Sequence, residues 1–309
     1  MERSAERTMT SLPPSKAASL PARRPAAGLS NESLSNESLS NESLSNESLS
    51  NESLSAGSLF SAPLSSATIR IGGTQLTLLP NRMAWWSSER TLLVADTHFG
   101  KAATFRQAGV PVPRGTTTDM LFTLTQTIEA TQAKRLIVLG DFIHSAVHAT
   151  VDFEEELMSW RQTHETLQLQ LVKGNHDRHR QKLFQRLEME IYEGDLQCES
   201  FVLCHDPTDR RKVAERASNR ATLAQGNGGD VLPAHFRVGG HLHPGIRIAS
   251  NQKLPCFWLG EDFLVFPAFG LFTGLSAIAP EQRDQIFVIA EGHIAKIAPP
   301  SREGGATYF

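Results

Sequence analysis

No apolar period is visible at the start of the chain, and one emerges only after about residue 65. Short β-rich runs, Ala67 to Ile71, Gln75 to Leu79 and Arg82 to Trp86, are separated by Gly-Gly and Pro-Asn turn signals, which predicts antiparallel strands. Next come the apolar run Thr91 to Ala95, a helical pattern near Thr117 to Thr131 and a second apolar run, Arg135 to Leu139. Strand, helix, strand is the βαβ signature. It continues with a helix near Phe153 to Thr166, the strand Leu167 to Val172, a helix near Arg180 to Met189 and the strand Phe201 to Cys204. A polar stretch from Asp209 to Asp230 interrupts before Phe236 to Gly240 resumes the sheet, and Gln285 to Ala290 and His293 to Ile297 return to β-rich text. The expected fold is a layered α/β sandwich with mixed sheets.

The silent N-terminal part has its own pattern, the pentad Asn-Glu-Ser-Leu-Ser repeated five times from Asn31 to Ser55. A five-residue period matches neither a helix nor a strand, and one leucine per unit cannot offset the entropy of ordering. Residues 1–65 are therefore expected to be a disordered extension, 66–300 a folded domain and 301–309 a tail. The pentads contain the Asn-x-Ser glycosylation pattern, which matters only in a secreted protein, and no signal-peptide run precedes them.

Composition narrows the class. Of 309 residues 40% are hydrophobic, enough for a substantial core, and the net charge of -3 gives no global attraction to nucleic acid. Any such binding needs a local patch. Cys198, Cys204 and Cys256 lack C-x-x-C spacing and are expected to be reduced thiols. No stretch approaches the ~20 apolar residues of a membrane span, so a soluble, cytoplasmic protein is expected. Arg3, Arg7, Arg23 and Arg24 among serines hint at a transit peptide, but Glu2 and Glu6 oppose it.

The chemistry lies at the ends of the expected strands. Three runs end in Asp96-Thr-His98, Gly140-Asp141-Phe-Ile-His144 and Gly174-Asn175-His176-Asp177, and two later ones end in His205 and in Gly240-His241-Leu-His243. Carboxyl ends of strands are where open α/β sheets bind ligands, so these positions could converge on one sheet edge. Carboxylates, one amide and imidazoles together suit manganese, iron or zinc. Any one of these histidines alone is more often a structural residue than a ligand, and Asn-His-Asp alone could be a turn with a helix cap. The ordered set decides otherwise. His148, His164, His179 and His235 show no comparable spacing, and Trp85, Trp86, Phe263, Phe266, Phe269 and Phe272 read most simply as packing residues.

In this order the blocks resemble the calcineurin-like metallophosphoesterase superfamily, whose motifs run D-x-H, G-D-x-x-D/H, G-N-H-D/E, an isolated His and G-H-x-H. The likeness spans residues 68 to 298. It implies a four-layer α/β/β/α sandwich with two mixed sheets around two divalent ions, manganese first and iron or zinc also fitting. Asp96, His98 and His243 would hold one ion and Asn175, His205 and His241 the other, with Asp141 bridging. His176 would be the acid-base residue, and Asp177 could orient it. His144 stays open between a supporting role beside Asp141 and the start of a loop.

The run Asp96-Thr-His-Phe-Gly-Lys-Ala-Ala-Thr-Phe-Arg106, with Gly109 to Pro113 and Gly115-Thr-Thr117, is similar to the ligase-associated DNA damage response endonucleases. That resemblance implies a DNA substrate, a role in repair, and a DNA ligase and a helicase-related protein as partners. Thr97 departs from the apolar residue usual there. Lys101 and Arg106 are candidate phosphate contacts, and Arg210, Arg211, Lys212, Arg216 and Arg220 are a solvated face or a grip on a nucleic-acid backbone. Two other functions stay open: hydrolysis of a nucleotide or other small phosphoester, and a non-catalytic binding module in a repair complex.

Overall fold

The computed structural model describes residues 66–144, 151–209, 236–247 and 252–299. The expected extension over 1–65, the tail over 301–309, His148, His235 and the basic stretch from Arg210 to Arg220 lie outside the described residues.

The first sheet has seven strands in chain order: β1 Ala67–Ile71, β2 Thr74–Leu78, β3 Met83–Trp86, β4 Thr91–Val94, β5 Arg135–Leu139, β6 Gln168–Val172 and β7 Glu190–Tyr192. Pairing is antiparallel from β1 to β4, as the short turns dictate, and parallel from β4 to β7, as the helical crossovers require. The crossovers carry α1 Lys101–Gln107, α2 Thr116–Thr131, α3 Val151–Thr163 and α4 Gln181–Arg186. Of these α1 was not expected. Its seven residues are too few to show a helical period.

The strand β4 explains why its sequence reads as one apolar run. Leu92 and Val94 face the helices, packing with Met120, Leu124, Leu157 and Phe184, whereas Leu93 and Ala95 face a second sheet. A strand covered on both faces has no polar face to alternate with.

The second sheet is β8 Leu196–Gln197, β9 Val202–Leu203, β10 Arg237–Gly239, β11 Pro244–Arg247, β12 Lys253–Leu259, β13 Phe263–Val265, β14 Ser276–Ala277, β15 Gln285–Ala290 and β16 His293–Ile297. It is mixed too, with β10 parallel to β9 and β13 and with β12 antiparallel to its neighbours. Leu203, Val238, Phe257, Leu264, Phe266 and Phe287 pack against Leu93, Ile137 and Leu139, which makes the sheet-on-sheet core. On the outer face Ile246, Cys256, Ile286 and Val288 form a smaller cluster. No helix covers that face among the described residues, which supply three of the four expected layers. Nor is any described helix long and apolar enough to cross a membrane.

Burial pushes the thiols of Cys198 and Cys256 up to about 11 and about 12, with no disulfide among the described residues. Such thiols are poor nucleophiles.

Candidate metal centre

Every motif follows the carboxyl end of a strand, but the strands belong to two sheets. Asp96, Asp141 and Asn175 follow β4, β5 and β6 of the first sheet; His205 and His241 follow β9 and β10 of the second. Parallel pairing aligns the ends within each sheet. The expectation of one sheet edge is therefore corrected: the site forms where two edges meet. Spacing along the chain carries no information on which sheet a strand joins.

Asp96, His98 and His243 form one group and Asp141, His205 and His241 another, the donor atoms within each lying within 4.8 Å of one another; His98 stands equally close to His144 and His176 in a third. In the first, His98 Nε2 is 3.3 Å from His243 Nε2, and His243 Nε2 is 3.7 Å from Asp96 Oδ1. In the second, His205 Nε2 lies 2.9 Å from His241 Nδ1, 3.0 Å from Asn175 Oδ1 and 3.5 Å from Asp141 Oδ1. The other Asp141 oxygen, Oδ2, is 3.8 Å from His98 Nε2, so this one carboxylate faces both groups.

These donors fit a divalent cation better than they fit each other. His205 Nε2 has at most one proton to share between the Asn175 and Asp141 oxygens with the His241 ring nitrogen also against it, and Asp96 Oδ1 is buried with no hydrogen-bond donor among the described residues. Two donors bonded to one ion at about 2.1 Å stand roughly 3.0–3.4 Å apart, close to the shortest spacings here. The supporting bonds are of the expected kind for some members: His205 Nδ1 lies 3.4 Å from the Leu139 carbonyl, Asp96 Oδ2 accepts the His241 N–H at 2.7 Å, and Asp141 Oδ1 accepts the His176 N–H at 2.9 Å. His98 Nδ1 finds no acceptor among the described residues; rings of His144, His176 and His243 fix it edge-on, at centroid distances of 5.2–5.9 Å.

The backbone is bent to aim these side chains. Asp96, His98, Asp141, His241 and His243 all have positive φ, between 45° and 70°. Each such residue costs about 1–3 kcal/mol and persists only where its surroundings hold it. Gly240 shows how tightly they are held, since a Cβ there would lie 2.1 Å from Asp96 Oδ2. Gly240→Ala is expected to displace that carboxylate and weaken metal affinity by about 10–100-fold, as loss of a metal-site support does, with the chain still folded. Isothermal titration with manganese beside a melting curve checks this; unchanged affinity refutes it.

Burial, with the charges of His243 and Lys101 behind it, drives His98 down to about 2. Burial, then Lys101 and His176, takes His144 down to about 4. Both imidazoles are therefore neutral at ordinary pH, the form with a lone pair to offer. An unfolded chain protonates these rings near 6.5 whereas the fold resists, so the metal-free protein is expected to lose stability steadily as pH falls below about 6.5. Above that value the two rings add no pH dependence. Melting temperatures of metal-free protein from about pH 8 down to about pH 4.5 test the sign; a flat profile refutes it.

The remaining expected residues divide. His176 presents a part-exposed ring whose Nε2 is 3.9 Å from Asp141 Oδ2. Asp177 is fully buried, and its oxygens accept the N–H groups of Gly174 at 2.9 Å and Ile143 at 3.1 Å. This carboxylate thus ties two loop backbones together; burial is also what raises its pKa to about 6. His144 stacks on His176 at 5.5 Å, which makes it a wall of the site. Lys101 begins α1, and burial lowers its pKa against the opposing pull of the Asp141 and Asp96 charges. Arg106 is exposed and donates to the Pro113 carbonyl at 3.1 Å. Thr97 is buried with its hydroxyl donating to the Phe142 carbonyl at 2.9 Å, so the departure from an apolar residue is accommodated. His164 stacks on Trp160, an ordinary structural role. Phe272 is a further correction: expected to pack, it is 44% exposed.

No family model and no curated protein matches the chain. Among solved structures it is similar to the Pseudomonas putida nuclease MPE, at 28% identity over 75% of this chain and 100% of that one, with a TM-score of 0.60. The Aquifex aeolicus protein AQ665, of unknown function, matches at 19% identity over 50% of this chain and 78% of its own, TM-score 0.32. Yfce, a phosphoesterase from E. coli, matches at 13% over 68% and 99%, TM-score 0.34.

Proposed function

We propose that this chain, a member of the metallophosphoesterase superfamily, hydrolyses phosphodiester bonds of nucleic acid with a pair of divalent ions. The observation that carries this reading is Asp141, whose two oxygens face separate groups of donors, at 3.8 Å from His98 and 3.5 Å from His205. Asp96, His98 and His243 would hold one ion, and Asn175, His205 and His241 the other. When bound, such a pair neutralises charge on a phosphoryl group and activates water at neutral pH.

The chain's own residues supply the rest. His176, part-exposed beside Asp141, would give a proton to the departing oxygen or a hydrogen bond to the phosphate. Lys101 would add positive charge on the same side, and Asp177 would keep the loop carrying Asn175 and His176 locked to the one after Asp141. The mixed oxygen and nitrogen donor set favours manganese, with iron or zinc as alternatives.

The similarity to a protein described as a nuclease favours nucleic acid over a small phosphoester. The motif run from Asp96 to Arg106 extends the reading to DNA repair in the cytoplasm, beside a ligase and a helicase-related protein. Purified protein should contain divalent metal and, with manganese, should cut single-stranded or duplex DNA as well as bis-p-nitrophenyl phosphate. Cleavage of p-nitrophenyl phosphate with all DNA left intact would replace this reading with a small-phosphoester hydrolase. Protein that takes up no manganese and stays inert on every substrate in its presence would favour a binding module.

A further inference from the structure

We propose that the loop tip Leu271–Phe272 and the groove beside it form a subsite for a nucleobase flanking the scissile phosphodiester. This rests on the phosphodiesterase reading above and adds the residues that would grip the strand.

The loop is fastened to the candidate centre at both ends. The N–H groups of Phe269 and Gly270 donate to the carbonyls of Ala95 and Asp96, at 2.9 and 3.0 Å, and the Ser276 N–H donates to the His243 carbonyl at 3.0 Å. The first contact tolerates no side chain at Gly270, where a Cβ would come within 2.5 Å of the Thr97 carbonyl. The stretch between is therefore anchored to the backbone of Asp96 at one end and of His243 at the other. Folding alone gives no reason for its apolar tip: Leu271 is 38% and Phe272 44% exposed, and Phe272 sits at φ 62°, a strained conformation for a bulky residue. An exposed, strained aromatic one loop from a catalytic candidate is better explained by a ligand than by packing.

A groove of about 270 Å³ adjoins it, lined by Leu271 and Phe269, by Asp119, Met120 and Thr123 of α2 and by Asn81 and Arg82 of the β2–β3 turn. That turn lies at the same end of the sheet as Asp96, because Met83 pairs with Val94. Arg82 also donates to the Ala268 carbonyl at 3.0 Å, which ties the groove wall to the loop. The volume falls just below the ~300 Å³ at which pockets for drug-sized ligands begin, room for one heterocycle. Phe269, Leu271 and Met120 offer apolar contact while Asn81, Arg82, Asp119 and Thr123 offer donors and acceptors, a combination that matches a base, flat and apolar on its faces with donors and acceptors on its edge.

The test uses full-length protein with manganese and single-stranded oligonucleotides carrying one abasic residue at successive positions from the cut. Binding is also followed by fluorescence anisotropy on metal-free protein. Phe272→Ala is expected to weaken binding and cleavage of the intact strand by about 5- to 100-fold, the range of base stacking on an aromatic. On a strand abasic at one flanking position the variant and the parent should then behave alike, and Phe272→Trp should retain the parent's preference. Wild-type behaviour of Phe272→Ala on every strand overturns the subsite, as does an equal loss on all strands, which would mean that the loop had merely collapsed. If the parent itself cuts no phosphodiester, it is the phosphodiesterase reading that fails.

Discussion

Asp141→Ala is expected to leave a folded protein that retains less than one tightly bound metal ion per chain and loses at least about 100-fold in phosphodiesterase turnover. The figure follows from position. Removing a group that merely supports a metal ligand costs about 10–100-fold, and Asp141 faces both donor groups directly, at 3.8 Å from His98 and 3.5 Å from His205. Its Oδ1 also accepts the His176 N–H at 2.9 Å, so the alanine leaves that amide without its acceptor, at a cost of about 1–3 kcal/mol if it stays dry. Metal analysis of desalted protein, read beside a circular-dichroism melt, separates a lost site from a lost fold. Two ions retained per chain would mean that this carboxylate does not bridge.

His176→Ala should do the opposite to metal content and nearly as much to rate. Both ions are expected to remain, and turnover on DNA to fall by a factor on the order of 100 or more, the contribution of a positioned general acid. The ring is placed for this by its neighbours, stacked on His144 at 5.5 Å and edge-on to His98 at 5.2 Å. Proton donation can be told from simple phosphate binding by changing the leaving group. A nitrophenolate departs without help whereas a sugar alkoxide does not, so bis-p-nitrophenyl phosphate should lose much less than DNA. Equal losses on both would assign His176 to binding the phosphate instead.

These substitutions were chosen from residues already legible in the chain, and so was much of the scaffold. The runs 67–71, 135–139, 285–290 and 293–297 are strands with the bounds the pattern predicts. Turn chemistry and apolar period act over a few residues, and there the prediction is strong. It weakens where tertiary contacts decide: the helix expected to Met189 ends at Arg186, with Glu188 at φ 52°. Strands β7, β8 and β11 to β14 were invisible, being short or only partly buried.

The candidate site divides in the same way. Asp96, His98, Asp141, Asn175, His176, His205, His241 and His243 could be picked out because their types and order suit metal and phosphate chemistry. The roles of Asp177 and Arg106 could not, because whether a carboxylate meets a ring or a backbone amide, and whether a guanidinium faces a site or a loop, depends on chain directions set far away. Phe272 misled for a related reason: an aromatic residue is expected inside, and only the loop's two fastenings hold it out.

By itself, then, the sequence determined β4, β5 and β6 of the parallel core, the side chains able to hold cations and the order in which they occur, since all three depend on neighbours a few positions apart. Only the tertiary structure decided that two sheets rather than one bring those side chains together, that Asp141 stands between the groups, and that five of the candidate ligands adopt left-handed backbone. The physical reason is that a strained turn or a cluster of unpartnered polar atoms is unfavourable on its own. It exists only because the packing of both sheets makes every alternative worse.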